Sequence, residues 1–232
     1  MSSSIAIITA RGGSRRIPGK NIKSFCGKPI IAYSIEAALQ AGCFDKVMVS
    51  TDSDKIADIA KKCGAEVPFL RSSQNADDHA TTADVIAEVL DTYAQRGEHY
   101  DRFLCLYPTA PFVTAQRLCE AVQKMEETGA DAVVPVVRFS FPPQRGFILQ
   151  EGKLAYKWPQ FRSSRSQDLE PFYHDAGQFY LVKEEAFRRE QTVVPAGTVP
   201  IILPETQVQD IDNPDDWEIA EIKFRRMQEN MH

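Results

Sequence analysis

Residues Ser4 to Thr9, S-I-A-I-I-T, form a short run of β-branched and small apolar residues. Such a run predicts a strand buried on both faces, as in a parallel sheet. Lys46 to Ser50, Phe103 to Tyr107 and Ala132 to Val137 repeat the pattern. Between these runs the apolar period changes from continuous to helical. From Pro29 to Ala41, residues Ile31, Ile35, Ala38 and Leu39 share one helical face, and Gly42 supplies a stop. Asp54 to Lys62, Asp84 to Arg96 and Thr114 to Glu127 read as further helices. Asp52 and Ser53 are placed to cap the first of these, and Gly64 to end it. Alternating strands and helices imply βαβ units with right-handed crossovers. The expected class is α/β, with a mostly parallel sheet and helices on both faces.

The alternation breaks after Val137. Residues 138–175 are rich in proline and aromatics, with weak strand signals near Phe147 and Leu154. This stretch reads as an arm inserted into a single domain spanning 1–232. Gly177 to Val182 returns as a strand. Asp216 to Met227 reads as a closing helix, capped near Asn213-Pro214.

Composition narrows the possibilities. A chain of 232 residues with 43% apolar content can bury one substantial core. The formal net charge of −5 argues against nucleic acid or an acidic membrane as partner. No apolar run reaches the roughly 18 residues of a membrane span. Met1 to Ser4 has no basic leader character, so a cytoplasmic enzyme is expected. The five cysteines are scattered without a C-x-x-C pair, which suggests neither a zinc site nor a disulfide framework.

Against this acidic background, four cations fall within ten residues directly after the first strand: Arg11, Arg15, Arg16 and Lys20. The stretch runs Ala10-Arg11-Gly12-Gly13-Ser14-Arg15-Arg16-Ile17-Pro18-Gly19-Lys20-Asn21. Open α/β sheets bind ligands at this carboxyl edge. Gly12 and Gly13 lack Cβ atoms, so backbone N–H groups can wrap an anion. Such dense like charge calls for a polyanion, and a nucleoside triphosphate meets the demand. The spacing fits neither a Walker loop, because five residues separate Gly13 from Gly19 and Asn21 follows Lys20, nor a G-x-G-x-x-G fingerprint. A solvated basic loop is the plainer alternative.

Late in the chain, Asp210-Ile211-Asp212 precedes Asn213-Pro214. In extended backbone, residues two apart point the same way. Both carboxylates would then share a face while Ile211 turns inward. Two carboxylates beside phosphate suit Mg²⁺. Helix capping by Asp212 or Asn213 is the competing use of the same residues.

The cationic run resembles the signature of the cytidylyltransferases that activate acidic nine-carbon sugars. Val49-Ser50-Thr51-Asp52, Leu70-Arg71, Leu106-Tyr107-Pro108-Thr109-Ala110-Pro111 and Asp210-Ile211-Asp212 match that family in order, over nearly the whole chain. Phe139 to Arg145, Arg165 to Glu170 and Tyr173 to Tyr180 are most similar to the bacterial pseudaminic acid enzymes. Sialic acid enzymes usually carry Gln at the position of Tyr107 and Asn-Gly-Ala in place of Ala176-Gly177-Gln178. The resemblance implies a Rossmann-like nucleotide-diphospho-sugar transferase fold and a homodimer, with the arm of one subunit closing the other's site. It implies transfer of CMP from CTP to an acidic nine-carbon sugar, with Mg²⁺.

On this basis Ala10, Gly12, Gly13 and Ser14 are candidates for nucleotide contact, the glycines and Ser14 through backbone donors. Arg11, Arg15 and Lys20 would neutralise the triphosphate, with Arg16 a weaker candidate. Asn21 enters as a nucleotide-site residue through the resemblance. Arg71 and the Thr81-Thr82 pair would border cytidine, although Thr82 or Asp84 could equally begin a helix. Asp210 and Asp212 would hold Mg²⁺. Tyr107, Gln144, Asp175, Gln178, Phe179 and Tyr180 are candidates for the sugar pocket, the aromatics being equally good core residues. Arg145 and Arg165 suit a sugar carboxylate or phosphate, or else surface ion pairs. His174 is a possible base or a structural histidine. A nucleotide sensor of the same fold and a dehydrogenase are the rival classes. Both are disfavoured, the first by the aspartate pair and the second by the missing fingerprint.

Overall fold

The computed structural model describes residues 3–14, 16–77 and 79–229. In chain order the elements are β1 (Ser4–Thr9), β2 (Ser24–Phe25), β3 (Lys28–Pro29), α1 (Ile30–Ala41), β4 (Lys46–Ser50) and α2 (Asp54–Lys62). There follow α3 (Thr82–Gln95), β5 (Arg102–Leu106), α4 (Ala115–Thr128) and β6 (Ala132–Arg138). Then come β7 (Phe147–Gln150), β8 (Lys153–Tyr156), β9 (Tyr173–Asp175), β10 (Phe179–Lys183), α5 (Glu184–Glu190), β11 (Thr198–Leu203) and α6 (Pro214–Glu229).

The main sheet has the order β11-β6-β10-β5-β1-β4, with β9 also paired to β6. The pairs β4–β1, β1–β5 and β6–β11 are parallel. β10 runs antiparallel to both neighbours. Its reversal follows from the connection. Residues 139–172 leave and re-enter at the carboxyl end of β6, so the returning chain must run backwards along it. β9 and β10 do so in two steps, opposite Val136–Arg138 and then Ala132–Val133. Between them Gly177 takes a left-handed φ of +62°, a conformation that carries no Cβ penalty in glycine.

Period-two alternation sorts the strand residues between two faces. Ala6, Ile8, Val47, Val49, Leu104 and Leu106 meet Ile31 and Ile35 of α1, Ile56 of α2 and Leu118 and Met125 of α4. Ile5, Ile7, Met48, Phe103 and Cys105 meet Ile86, Val89 and Tyr93 of α3 and Phe187 of α5. Helices therefore cover both faces. A third cluster lies apart from these layers. In it Ile17, Phe25 and Ile30 pack against Phe112, Ile211 and the Trp217, Ala220 and Phe224 side chains of α6. Phe25 meets Trp217 and Phe224 edge-on, with ring centroids 5.4 Å apart in each case. This cluster joins the end of the cationic run to the aspartate segment, which are some 190 residues apart in sequence (Lys20 and Ile211 differ by 191).

The expected cap of α2 is corrected. Ser53 occupies the cap position without a side-chain hydrogen bond. Asp52 accepts instead from the Gly12 N–H at 2.7 Å. At α6 Asn213 does the capping, accepting from the Asp216 N–H at 3.0 Å. The arm carries its own hairpin, β7 with β8. Its base is closed by the Phe139 N–H donating to the Phe172 carbonyl at 2.9 Å.

Candidate active site

Beyond the carboxyl ends of β1 and β5 lies a cavity of 490 Å³. Its walls include Thr9 at the end of β1 and Arg11, Ser14, Arg16, Lys20 and Asn21 from the cationic run. Arg71, the Thr81-Thr82 pair and Tyr107 close the other side. This is the crevice position at which open α/β sheets take ligands.

Each wall is held for a physical reason. Asn21 is buried and donates from Nδ2 to the Arg11 carbonyl at 2.8 Å, which bends the run back on itself. Lys20 donates from Nζ to the Ile211 carbonyl at 2.6 Å and lies 3.5 Å from Asp212 Oδ1. Arg16 reaches the same oxygen at 2.9 Å. Ile211 is 1% exposed, and burying such a side chain contributes about 2 kcal/mol. Its burial turns Asp210 and Asp212 away from the core. Asp216 accepts from the Asp212 and Asn213 N–H groups at 2.9 and 3.0 Å, which fixes the far end of the segment. Lys223 fixes the near end by donating to the Val208 carbonyl at 2.8 Å and to Gln209 Oε1 at 3.1 Å.

The Arg16–Asp212 pair is open to water, with side-chain exposures of 68% and 37%. Exposed pairs of this kind contribute about 0–1 kcal/mol. A phosphate or divalent cation can therefore take either partner at little cost. Asp210 has its carboxyl raised above the usual range, first by desolvation and then by the Asp212 charge. The described residues contain no group of three or more His, Cys, Asp or Glu that could hold a metal. Two neighbouring carboxylates still fit Mg²⁺, which fills its shell with phosphate oxygens and water.

Arg71 is the buried cation of the site. Its guanidinium donates to Ser50 Oγ at 3.1 Å and to the Ser50 carbonyl at 2.7 Å. Burial pulls its pKa below the ordinary arginine value, opposed by the Asp52 and Glu88 carboxylates. Thr81 caps α3 in a reciprocal box with Asp84, so Asp84 takes the helix-start role expected of it, while Thr82 is the first residue of the helix. Thr82 Oγ1 lies 3.3 Å from the Tyr107 hydroxyl. Tyr107 is held in turn by its N–H, which donates to the Gln178 carbonyl at 2.9 Å, and by its own carbonyl, which accepts from Ser34 Oγ at 2.8 Å.

Several expected contacts take other partners. The Ala10 N–H donates to the Ser50 carbonyl at 2.9 Å, and Ala10 is fully buried, so its amide is not turned toward a ligand. The Gly12 N–H belongs to Asp52, and the Ser14 N–H donates to the Gly12 carbonyl at 3.1 Å. Gly13 alone of the expected donors stands exposed with open space around it. Arg15 lies outside the described residues.

On the sugar side Phe179 is fully buried in the core against α1 and α4, which removes it from any pocket. Gln178 is also buried, donating to the Gln207 carbonyl at 2.8 Å. Gln144 donates to the Glu170 carbonyl at 2.8 Å, while its buried Oε1 has no partner. Asp175 accepts from the Tyr180 hydroxyl and from the Gly177 N–H. Arg145 reaches Ser166 Oγ at 3.3 Å on the exposed arm, and Arg165 is exposed nearby. His174 packs edge-on against Phe139 at 4.9 Å. Apart from Tyr107, none of these residues lines the 490 Å³ cavity. The segment 72–80 does contribute to it, through Asn75, Asp77 and Ala80. Its signals in the sequence were the Asp77 turn, which accepts from the His79 and Ala80 N–H groups, and the T-x-x-D box that follows.

Residues 5–195 match the family model described as cytidylyltransferase. The chain is 39% identical over 222 residues to a pseudaminic acid cytidylyltransferase of Campylobacter jejuni, covering 95% of this chain and 96% of that one. It is 35% identical to a CMP-N,N'-diacetyllegionaminic acid synthase of Legionella pneumophila, with 94% of each chain covered. Among solved structures, a CMP-2-keto-3-deoxy-manno-octonic acid synthetase complexed with CTP superposes with a TM-score of 0.69 at 17% identity, covering 98% of this chain and all of that one. A 4-diphosphocytidyl-2C-methyl-D-erythritol synthase of Anaerococcus prevotii gives a TM-score of 0.65 at 14% identity, with 97% and 99% covered.

Proposed function

Because the chain belongs to the cytidylyltransferase family, we propose that it transfers CMP from CTP to the anomeric hydroxyl of pseudaminic acid, releasing pyrophosphate. The observation that carries the reaction is the junction at Lys20. There a cation of the phosphate run is bonded to the backbone between two aspartates, with Arg16 beside it. The sugar rests on the 39% identity to a relative of that name. It also rests on Tyr107, which lines the cavity, and on the Ala176-Gly177-Gln178 run behind it, whose Gln178 carbonyl accepts from the Tyr107 N–H.

In this reading Arg11, Lys20 and Arg16 line the triphosphate's path and hold the negative charge that gathers on the leaving pyrophosphate. Gly13 offers its amide from the tip of the turn. Arg71 and the Thr81-Thr82 pair form the nucleoside end, and Tyr107 stands between nucleotide and acceptor. Asp210 and Asp212 would hold Mg²⁺, which when bound lowers the pKa of the attacking hydroxyl and screens the phosphates. The anomeric hydroxyl of a 2-keto acid is already more acidic than an ordinary alcohol, so no dedicated side-chain base is assigned. Arg145 and Arg165 of the arm, with Asp175, would bind the sugar. The arm displays Phe141, Leu149 and Leu154 at 85%, 73% and 71% exposure. So much exposed apolar surface on one arm supports its use as the contact between two copies, the arm of each reaching its partner's site.

Incubation with CTP, Mg²⁺ and a panel of acidic sugars tests this. Pseudaminic acid is expected to exceed legionaminic, N-acetylneuraminic and ketodeoxyoctonic acids by tenfold or more in kcat/KM, a factor worth about 1.4 kcal/mol. Higher turnover with any of the others would reassign the sugar. The 35% identity to the legionaminic acid enzyme makes that sugar the second reading.

A further inference from the structure

The Val49-Ser50-Thr51-Asp52 stretch lies behind the site and is bonded to two of its walls. The Ser50 carbonyl accepts from the Ala10 N–H at 2.9 Å and from the Arg71 guanidinium at 2.7 Å. The Thr51 carbonyl accepts from the Arg71 N–H at 2.8 Å, and Asp52 Oδ1 from the Gly12 N–H at 2.7 Å. The phosphate run and the Arg71 segment are thus both hung on the turn between β4 and α2.

We propose that Asp52 is a positioning residue for CTP, a staple that holds the Gly12-Gly13 turn in its binding shape from behind. This rests on the functional reading above and assigns Asp52 a task within it. The contact lies on the β4 side of the turn. A Cβ at Gly12 would meet Ser53 Cβ at 3.2 Å and both Asp52 oxygens at 3.6 Å, so no ligand atom fits between turn and staple. Asp52 is not among the residues that line the cavity. The absent side chain at Gly12 therefore lets the turn pack closely on Ser53 beside Asp52, and Gly13 is left as the open face of the turn. The bond is charge-assisted, which makes it stronger than a neutral one. Without it the Gly12 amide would turn to water, and the run between Arg11 and Lys20 would lose its fixed curvature.

Calorimetric titration of CTP with Mg²⁺ into the folded full chain tests the staple. Asp52→Ala is expected to weaken CTP about tenfold, the loss of one charge-assisted bond. Asp52→Asn keeps an acceptor oxygen for Gly12 and should remain within about threefold of the parent. Gly12→Ala, whose methyl group crowds Ser53 and pushes the turn off the Asp52 side, should resemble Asp52→Ala and serves in its place if that variant does not fold. Melting temperatures are measured alongside. A merely structural role would lower them without changing affinity below the transition. Affinities of Asp52→Ala and Gly12→Ala within twofold of the parent, or an Asn variant as weak as the Ala one, would overturn the assignment. A parent that binds no CTP would overturn the functional reading and this one with it.

Discussion

Replacing Asp212 by alanine should lower turnover on the order of a thousandfold while leaving a folded protein. The folding half of that expectation follows from exposure. Among the described residues Asp212 is bonded through its side chain to Arg16 and Lys20, in a cluster where the Arg16 pair is open to water and contributes about 0–1 kcal/mol. The cap of α6 does not need it, since Asn213 and Asp216 do that work. The catalytic half follows from placement. Asp212 is the carboxylate that meets the cationic run, and Asp210 is its partner two residues away on the same extended segment. Removing one of two carboxylates from an ion that bridges protein and phosphate withdraws charge stabilisation where charge moves. Pyrophosphate release under saturating CTP and sugar, with melting measured alongside, separates the two halves. Near-normal release from a folded Asp212→Ala protein would refute the metal role.

The second large effect is expected at Lys20. Its ammonium is 2.6 Å from the Ile211 carbonyl and has a side-chain exposure of only 20%. It therefore does two things: it ties the phosphate run to the aspartate segment, and it places a positive charge at the floor of the cavity. Lys20→Ala removes both. The expected result is a KM for CTP raised at least tenfold and a kcat lowered about a hundredfold, within the span found when an electrostatic donor is deleted. Lys20→Arg should not restore either constant, because a planar fork cannot reproduce a compact ammonium donating to one carbonyl in a tight space. Initial rates across CTP concentrations measure this. Constants within threefold of the parent would show that the tie does not matter to the reaction.

Much of the architecture was readable where local chemistry decides it. β1, β4 and α2 fall on their expected bounds, because continuous apolar runs and glycine stops leave little choice. β11 was missed because Pro200 interrupts T-V-P-I-I-L. Proline is tolerated there because β11 is the outer strand and pairs only with β6. α5 has seven residues, too few for a helical period to show. The reversal of β10 was hidden for a different reason. Strand direction depends on where the 139–172 excursion re-enters, which no residue in β10 records.

The site divides in the same way. Arg11 and Lys20 are legible from the density of charge after β1, and Asn21, Arg71, Thr81 and Tyr107 from the family resemblance, and one cavity gathers them. Asp52 was read as a helix cap because its nearest backbone donors in sequence belong to α2. Its real donor, Gly12, is forty residues upstream. Phe179 was offered as a pocket residue because its neighbours are. Alternation along β10 instead sends it into the core opposite Leu106. The arm residues Arg145 and Arg165 stay apart from the cavity within one chain, which is why a second copy enters the proposed function.

The most direct check is a calorimetric titration of CTP with and without Mg²⁺, on the parent and on an Asp210→Asn/Asp212→Asn double variant. The expected outcome is binding by the parent that tightens when Mg²⁺ is added, and a double variant in which that gain is gone. An affinity indifferent to Mg²⁺ in the parent, or a gain that survives in the double variant, would contradict a site in which the basic turn and the two carboxylates hold one metal-bound triphosphate between them.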